Sequence, residues 1–128
     1  VRGAIGFFGF WAGPGFHVLD FQALADPLLA RLPAEEHDPV LAEMLPRVAA
    51  KQGWRIGHFA RRIPEGYFAT LATGRNAIAD PDLAAYYEPL SRITRGRLLD
   101  PARLRAIVDL NLGRYDALRR RYTGRRPD

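Results

Sequence analysis

Apolar and polar positions alternate with a helical period over the second half of the chain. Leu83, Tyr86, Tyr87, Leu90 and Ile93 share one face of a helix expected over Pro81–Arg95 and closed by Gly96. A longer helix is expected over residues 101–122. Its stripe carries Leu104, Ile107, Val108, Asn111, Tyr115, Leu118 and Tyr122, with Arg103, Arg105, Arg114 and Arg119 mostly outside it. These two helices are expected to pack on each other or on a sheet, with the tyrosines in the core or at its rim. The first part of the chain is patterned differently. Residues 4–11 are bulky and apolar, with Gly3, Gly6 and Gly9 interspersed, and read as a buried strand whose glycines admit a ring or another backbone. Gly13-Pro14-Gly15 makes a turn, and residues 16–19 return as a second strand ending at Asp20.

Asp-Pro pairs punctuate the chain beyond Asp20: Asp26-Pro27, Asp38-Pro39, Asp80-Pro81 and Asp100-Pro101. Each precedes a helical pattern, so each reads as an N-cap followed by a first-turn proline. The expected helices after the first two pairs are 27–32, stopped by Pro33, and 39–52, kinked at Pro46 and ended by Gly53. Residues 54–63 read as a turn with at most one helical turn. Residues 65–73 read as a helix ended by Gly74, although 67–71 also suits a strand. The expectation is an α+β fold, predominantly helical, with a small sheet from the N-terminal strands. One domain would span residues 1–124, followed by a flexible tail, 125–128.

Composition narrows the function classes. At 128 residues, 48% of them apolar, the chain has enough material for one modest core. No apolar run approaches the roughly 18–20 residues that cross a bilayer, and residues 4–11 lack the features of a secretory signal. The chain opens on Val1 and runs almost directly into an apolar segment, as expected for a piece of a longer protein. The absence of cysteine excludes disulfides and thiolate metal sites. A net charge of +5 and a pI near 10.2 come almost wholly from arginine, and favour an anionic partner: lipid headgroups, phosphorylated carriers or nucleic acid.

Candidate chemistry gathers where the second strand passes into the first helix. Asp20, Asp26 and Arg31 lie there, at the kind of corner that builds ligand sites in α/β proteins. Asp26 has the competing role of a cap, whereas Asp20 caps nothing obvious. His17 begins a strand and His37 sits in a polar loop. His58 follows a glycine among Arg55, Arg61 and Arg62. Cations beside an imidazole favour its neutral form, which can hold a phosphate or a sugar hydroxyl; a backbone hydrogen bond at a turn serves equally well as its role. The glycines at 6 and 9 do not form a dinucleotide fingerprint, no zinc-binding spacing occurs, and Ser91, the only serine, stands in no nucleophile elbow. Arg114, Arg119, Arg120 and Arg121 gather positive charge near the end of the chain. They complement a helix dipole, or rest on an anionic phospholipid surface; no pattern supports nucleic acid.

Several blocks resemble a known family. Gly6-Phe-Phe-Gly-Phe-Trp-Ala-Gly13 and His17-Val-Leu-Asp-Phe-Gln-Ala-Leu-Ala-Asp-Pro-Leu-Leu-Ala-Arg31 are similar to a pattern in polytopic bacterial glycosyltransferases of the GT-C class. These enzymes use polyprenyl-phosphate sugars and include arabinofuranosyltransferases of the cell wall. Further matching blocks are Arg55-Ile-Gly-His58, Pro64-Glu-Gly-Tyr67 with Thr70-Leu71, Asp80-Pro-Asp-Leu-Ala-Ala-Tyr-Tyr87 and Asn111-Leu-Gly-Arg-Tyr-Asp116. The chain departs from the pattern at Ala23, where many members have glycine, and in a long insert between Leu32 and Trp54. The resemblance implies an extracytoplasmic C-terminal domain at the outer face of the cytoplasmic membrane. It would have no catalytic residue, metal or cofactor of its own, the catalytic carboxylate lying in the membrane portion of the same polypeptide. It would hold a glycan or lipid-linked sugar near Asp20, Asp26, Arg31 and His58. The alternative is a free-standing basic module that binds an anionic partner.

Overall fold

The computed structural model describes residues 11, 19, 20, 23, 25–34 and 60–125. The chain divides into two compact units, Val1–Ile63 and Pro64–Asp128. Among the described residues the fold is all-helical, with 57% of them in helix and no strand. The expected small sheet is therefore corrected. Trp11, at the end of the first expected strand, is helical, and Leu19, at the end of the second, is irregular. A short run of bulky apolar residues fits a buried helix as well as a buried strand, because neither leaves an alternating signature. The expected helix over 39–52 lies outside the described residues.

Among its described residues the second unit holds four helices: α1 (Tyr67–Thr73), α2 (Pro81–Arg95), α3 (Pro101–Asn111) and α4 (Asp116–Gly124). The Asp-Pro reading holds at both of its starts here. Asp80 Oδ1 accepts from Leu83 N at 2.9 Å, Asp100 Oδ1 accepts from Ala102 N at 3.0 Å, and a proline fills the first turn in each case. α1 ends where expected, with Gly74 in the left-handed conformation that closes a helix.

α2 is the central element and packs against both α3 and α4. Leu83, Tyr86, Tyr87 and Leu90 are buried on the face anticipated from their spacing, and Tyr67 meets Tyr87 edge-to-face with ring centroids 5.8 Å apart. Pro89 lies inside α2 and was not anticipated as a feature. It takes the donor from the Ala85 carbonyl. Ala85 is exposed, so water can serve that oxygen and the helix continues.

Two expectations for the last helix are revised. It is broken at residues 112–115, where Gly113 takes φ +70°, Arg114 N donates to Asp109 O and Asp116 N donates to Gly113 O. The chain then restarts as α4. The packed face of α3 is also not the apolar stripe. Ala106 and Asp109 are the buried residues of α3, while Leu104 and Val108 are about half exposed. Arg114 Nη1 reaches Asp109 Oδ1 at 2.7 Å, so the buried carboxylate has a partner. The small Ala106 presents no bulk beside it.

Candidate functional site

Asp20 and Asp26 sit in one tightly bonded corner of the first unit. Asp20 O accepts from Ala23 N at 2.9 Å, and its Oδ2 accepts from Ala25 N at 3.1 Å. Ala23 between them adopts φ +66°, a left-handed conformation that suits glycine and costs an alanine about 1–2 kcal/mol. Position 23 is thus one where the backbone itself favours glycine.

Asp26 then caps the next turn. Its Oδ1 accepts from both Leu28 N and Leu29 N, each at 2.9 Å. The expected helix over 27–32 contracts to a 3-10 turn, Leu29–Arg31, after a turn at Pro27 and Leu28. Leu28, Leu29 and Leu32 are fully buried beneath it. Arg31 Nη1 donates to Pro27 O at 2.7 Å, bracing the turn from outside.

This geometry distributes the candidate residues unequally. Asp20 and Asp26 are 3% and 2% exposed, and both carboxylates hold backbone N–H groups. Of the three described candidates, only Arg31 is more than marginally accessible. His58 and His17 lie outside the described residues. Arg61 is a member that sequence reasoning treated only as a neighbour of His58. It is buried, and its Nε donates to Leu32 O at 2.9 Å, tying residue 61 to the end of the 3-10 turn. Its one sequence signal is its place beside Arg62, since two adjacent arginines ahead of Ile63-Pro64 cannot point the same way in an extended segment.

The C-terminal arginines form a second candidate surface. Arg114 pairs with Asp109 at 2.7 Å, Arg119 with Asp116 at 3.8 Å and Arg121 with Asp82 at 2.6 Å, while Arg120 is exposed. Arg125, expected in the tail, bonds Asp82 at 2.5 Å and Asp80 at 2.9 Å. The acidic start of α2 thus clamps the basic end of α4, and each charge complements the dipole of its own helix.

Hydrogen bonds from Arg121, then from Arg125, hold the Asp82 carboxyl down from 3.8 to about 2. A carboxyl depressed on folding stabilises the folded state above its unfolded pKa, and that contribution disappears as pH falls through the folded value. The stability that the clamp contributes is therefore complete above about pH 4 and declines as pH falls from there, while in the folded chain the carboxylate stays ionised until pH approaches about 2. α4 buries no residue fully, so this clamp adds to its packing against α2. Amide resonances of residues 116–124 are expected to shift as pH falls toward about 2 in the native chain. In Asp82→Asn they are expected to occupy the shifted position already at pH 6. Unmoved resonances in that variant would show that something else seats α4.

Among the described residues, no group of three His, Cys, Asp or Glu side chains is arranged to hold a metal ion, and no helix is long and apolar enough to cross a membrane. No protein-family model, no curated protein and no solved structure matches the chain.

Proposed function

We propose that the chain is a non-catalytic extracytoplasmic domain of a polyprenyl-phosphate-sugar-dependent membrane glycosyltransferase, where it positions a glycan acceptor or a lipid-linked donor. One observation carries the reading. Three of the blocks that resemble this family overlap corners at which the backbone is fixed. Asp20, Ala23, Asp26 and Arg31 hold the first corner together. Gly66, Tyr67 and Thr70 hold the second, where Thr70 Oγ1 donates to Gly66 O and accepts from Ala77 N. Asp109, Gly113, Arg114 and Asp116 hold the third.

In this reading Asp20 and Asp26 shape the rim of a groove from within, and Arg31 and His58 are the side chains offered to the sugar or phosphate. The alternative, a free-standing basic module, has less support, because Arg114, Arg119, Arg121 and Arg125 are engaged with aspartates of the same unit.

The experiment is sugar transfer by the whole protein carrying His58→Ala or Arg31→Met. Each variant is expected to transfer at least ~10-fold more slowly, as for loss of a charged or hydrogen-bonding contact to substrate. Its tryptophan fluorescence should stay native. Full activity in both variants would reject the site. A gene without apolar spans on the 5′ side of the Val1 codon would reject the membrane enzyme itself.

A further inference from the structure

The outward face of α3 and the turn before it form a surface that the proposed sugar site does not use. Leu98 and Leu99 are 74% and 87% exposed at the tip of that turn. Leu104, Val108 and Leu112 follow at four-residue steps, so they continue along one side of the helix, and all three are exposed. The turn is held firmly. Arg103 Nε donates to Ile93 O at 2.8 Å and its Nη1 to Leu98 O at 3.1 Å, while Asp100 N donates to Arg97 O. The leucines are thus displayed by a braced backbone, on a face with no aromatic ring.

Charge complements this apolar edge. Residues 92–112 contain five arginines and two aspartates. Both aspartates are occupied within the fold: Asp100 caps Ala102 N, and Asp109 is buried against Arg114. Arg92, Arg95, Arg97 and Arg105 are exposed in the same stretch of chain, Arg105 lying 3.7 Å from Asp109. An exposed aliphatic tip with exposed guanidiniums close by in the chain matches the boundary between acyl chains and anionic headgroups, where leucine enters hydrocarbon and arginine stays among phosphates. A protein partner would have to bring a pocket for the tip and its own acidic rim.

We infer that the turn 97–100 and the outer face of α3 dock on the surface of an anionic phospholipid bilayer, with Leu98 and Leu99 entering the headgroup boundary. The inference rests on this surface alone and holds or fails independently of the glycosyltransferase reading.

The test uses the 128-residue chain and vesicles of phosphatidylglycerol with phosphatidylcholine, against phosphatidylcholine alone. The chain has no cysteine, so Leu99→Cys and Ala72→Cys, the latter on the exposed side of α1, each carry a single environment-sensitive dye. Co-sedimentation is expected only with the anionic vesicles and should weaken in high salt. The dye at position 99 should shift to the blue while the dye at 72 does not. The double variant Leu98→Ser/Leu99→Ser is expected to lose roughly 10-fold or more in partitioning, since both side chains lie outside the core. Three results would overturn the inference: no binding to anionic vesicles, equal response of the two dyes, or binding within twofold of native in the double variant. A lipid-free dimer abolished by the same double variant would also overturn it and assign the face to a second copy of the chain.

Discussion

Replacing Gly66 by alanine is expected to be the most damaging single change in the second unit. Gly66 takes φ +79° at the start of α1, and a Cβ built there would stand 1.8 Å from Ala77 O and 2.7 Å from Ala77 C. Both neighbours are backbone, so no side chain can rotate away. The segment around Ala77 would have to retreat, and it is held by Thr70 Oγ1 on Ala77 N at 2.8 Å and by Glu65 O on Ala79 N at 3.1 Å. Left-handed strain of about 1–2 kcal/mol adds to an overlap cost of about 1–3 kcal/mol, so a loss of roughly 3 kcal/mol or more is expected. Gly74→Ala provides the control: its φ is also positive, +72°, but nothing lies within 4 Å of the added methyl, so only the strain remains. All five tyrosines lie in this unit, which makes near-UV circular dichroism of tyrosine the suitable probe of urea unfolding. Equal midpoints for the two variants would show that the approach of Ala77 does not constrain the fold.

The contrast between those glycines shows what a sequence discloses. Gly74 was legible as a helix stop because its role is local: a glycine following the last periodic residue. The close approach at Gly66 depends on a loop eleven residues away, and nothing in Pro64-Glu-Gly-Tyr67 announces it. The aspartate caps were legible for the same local reason, since an N-cap bonds within three residues of itself. α2 could be oriented because five apolar residues shared one narrow face.

α3 could not be oriented in that way. Its apolar residues spread over more than one side, and the side that packs carries Asp109, a buried carboxylate paired with Arg114 that a hydrophobic pattern assigns to solvent. Residues 4–11 illustrate the remaining difficulty: continuous bulk gives no period from which to choose between helix and strand. In the candidate site, the aspartates were identified by chemistry, but their burial was not. Whether a carboxylate faces a ligand or its own backbone depends on packing by Leu28, Leu29 and Leu32.

That distinction makes Asp26 the informative position in the first unit. Asp26→Ala removes one oxygen that serves two backbone donors, Leu28 N and Leu29 N, in a place where the residue is 2% exposed and water cannot substitute readily. Loss of the cap together with the buried donors is expected to destabilise the unit by about 2–4 kcal/mol. Asp26→Asn retains an oxygen in the same place and is expected to lie within about 1 kcal/mol of native, as aspartate and asparagine cap comparably. Both tryptophans, Trp11 and Trp54, fall in Val1–Ile63, so tryptophan fluorescence during urea unfolding reports on this unit alone. If alanine and asparagine lower the midpoint equally, the negative charge holds the corner and the cap geometry does not. If asparagine remains folded, its transfer activity in the whole protein separates the two roles of the residue. Normal transfer would mean that Asp26 acts only by shaping the turn that carries Arg31. A loss of transfer from a stable asparagine variant would mean that the carboxylate charge itself acts on the sugar, the phosphate or the cation beside them.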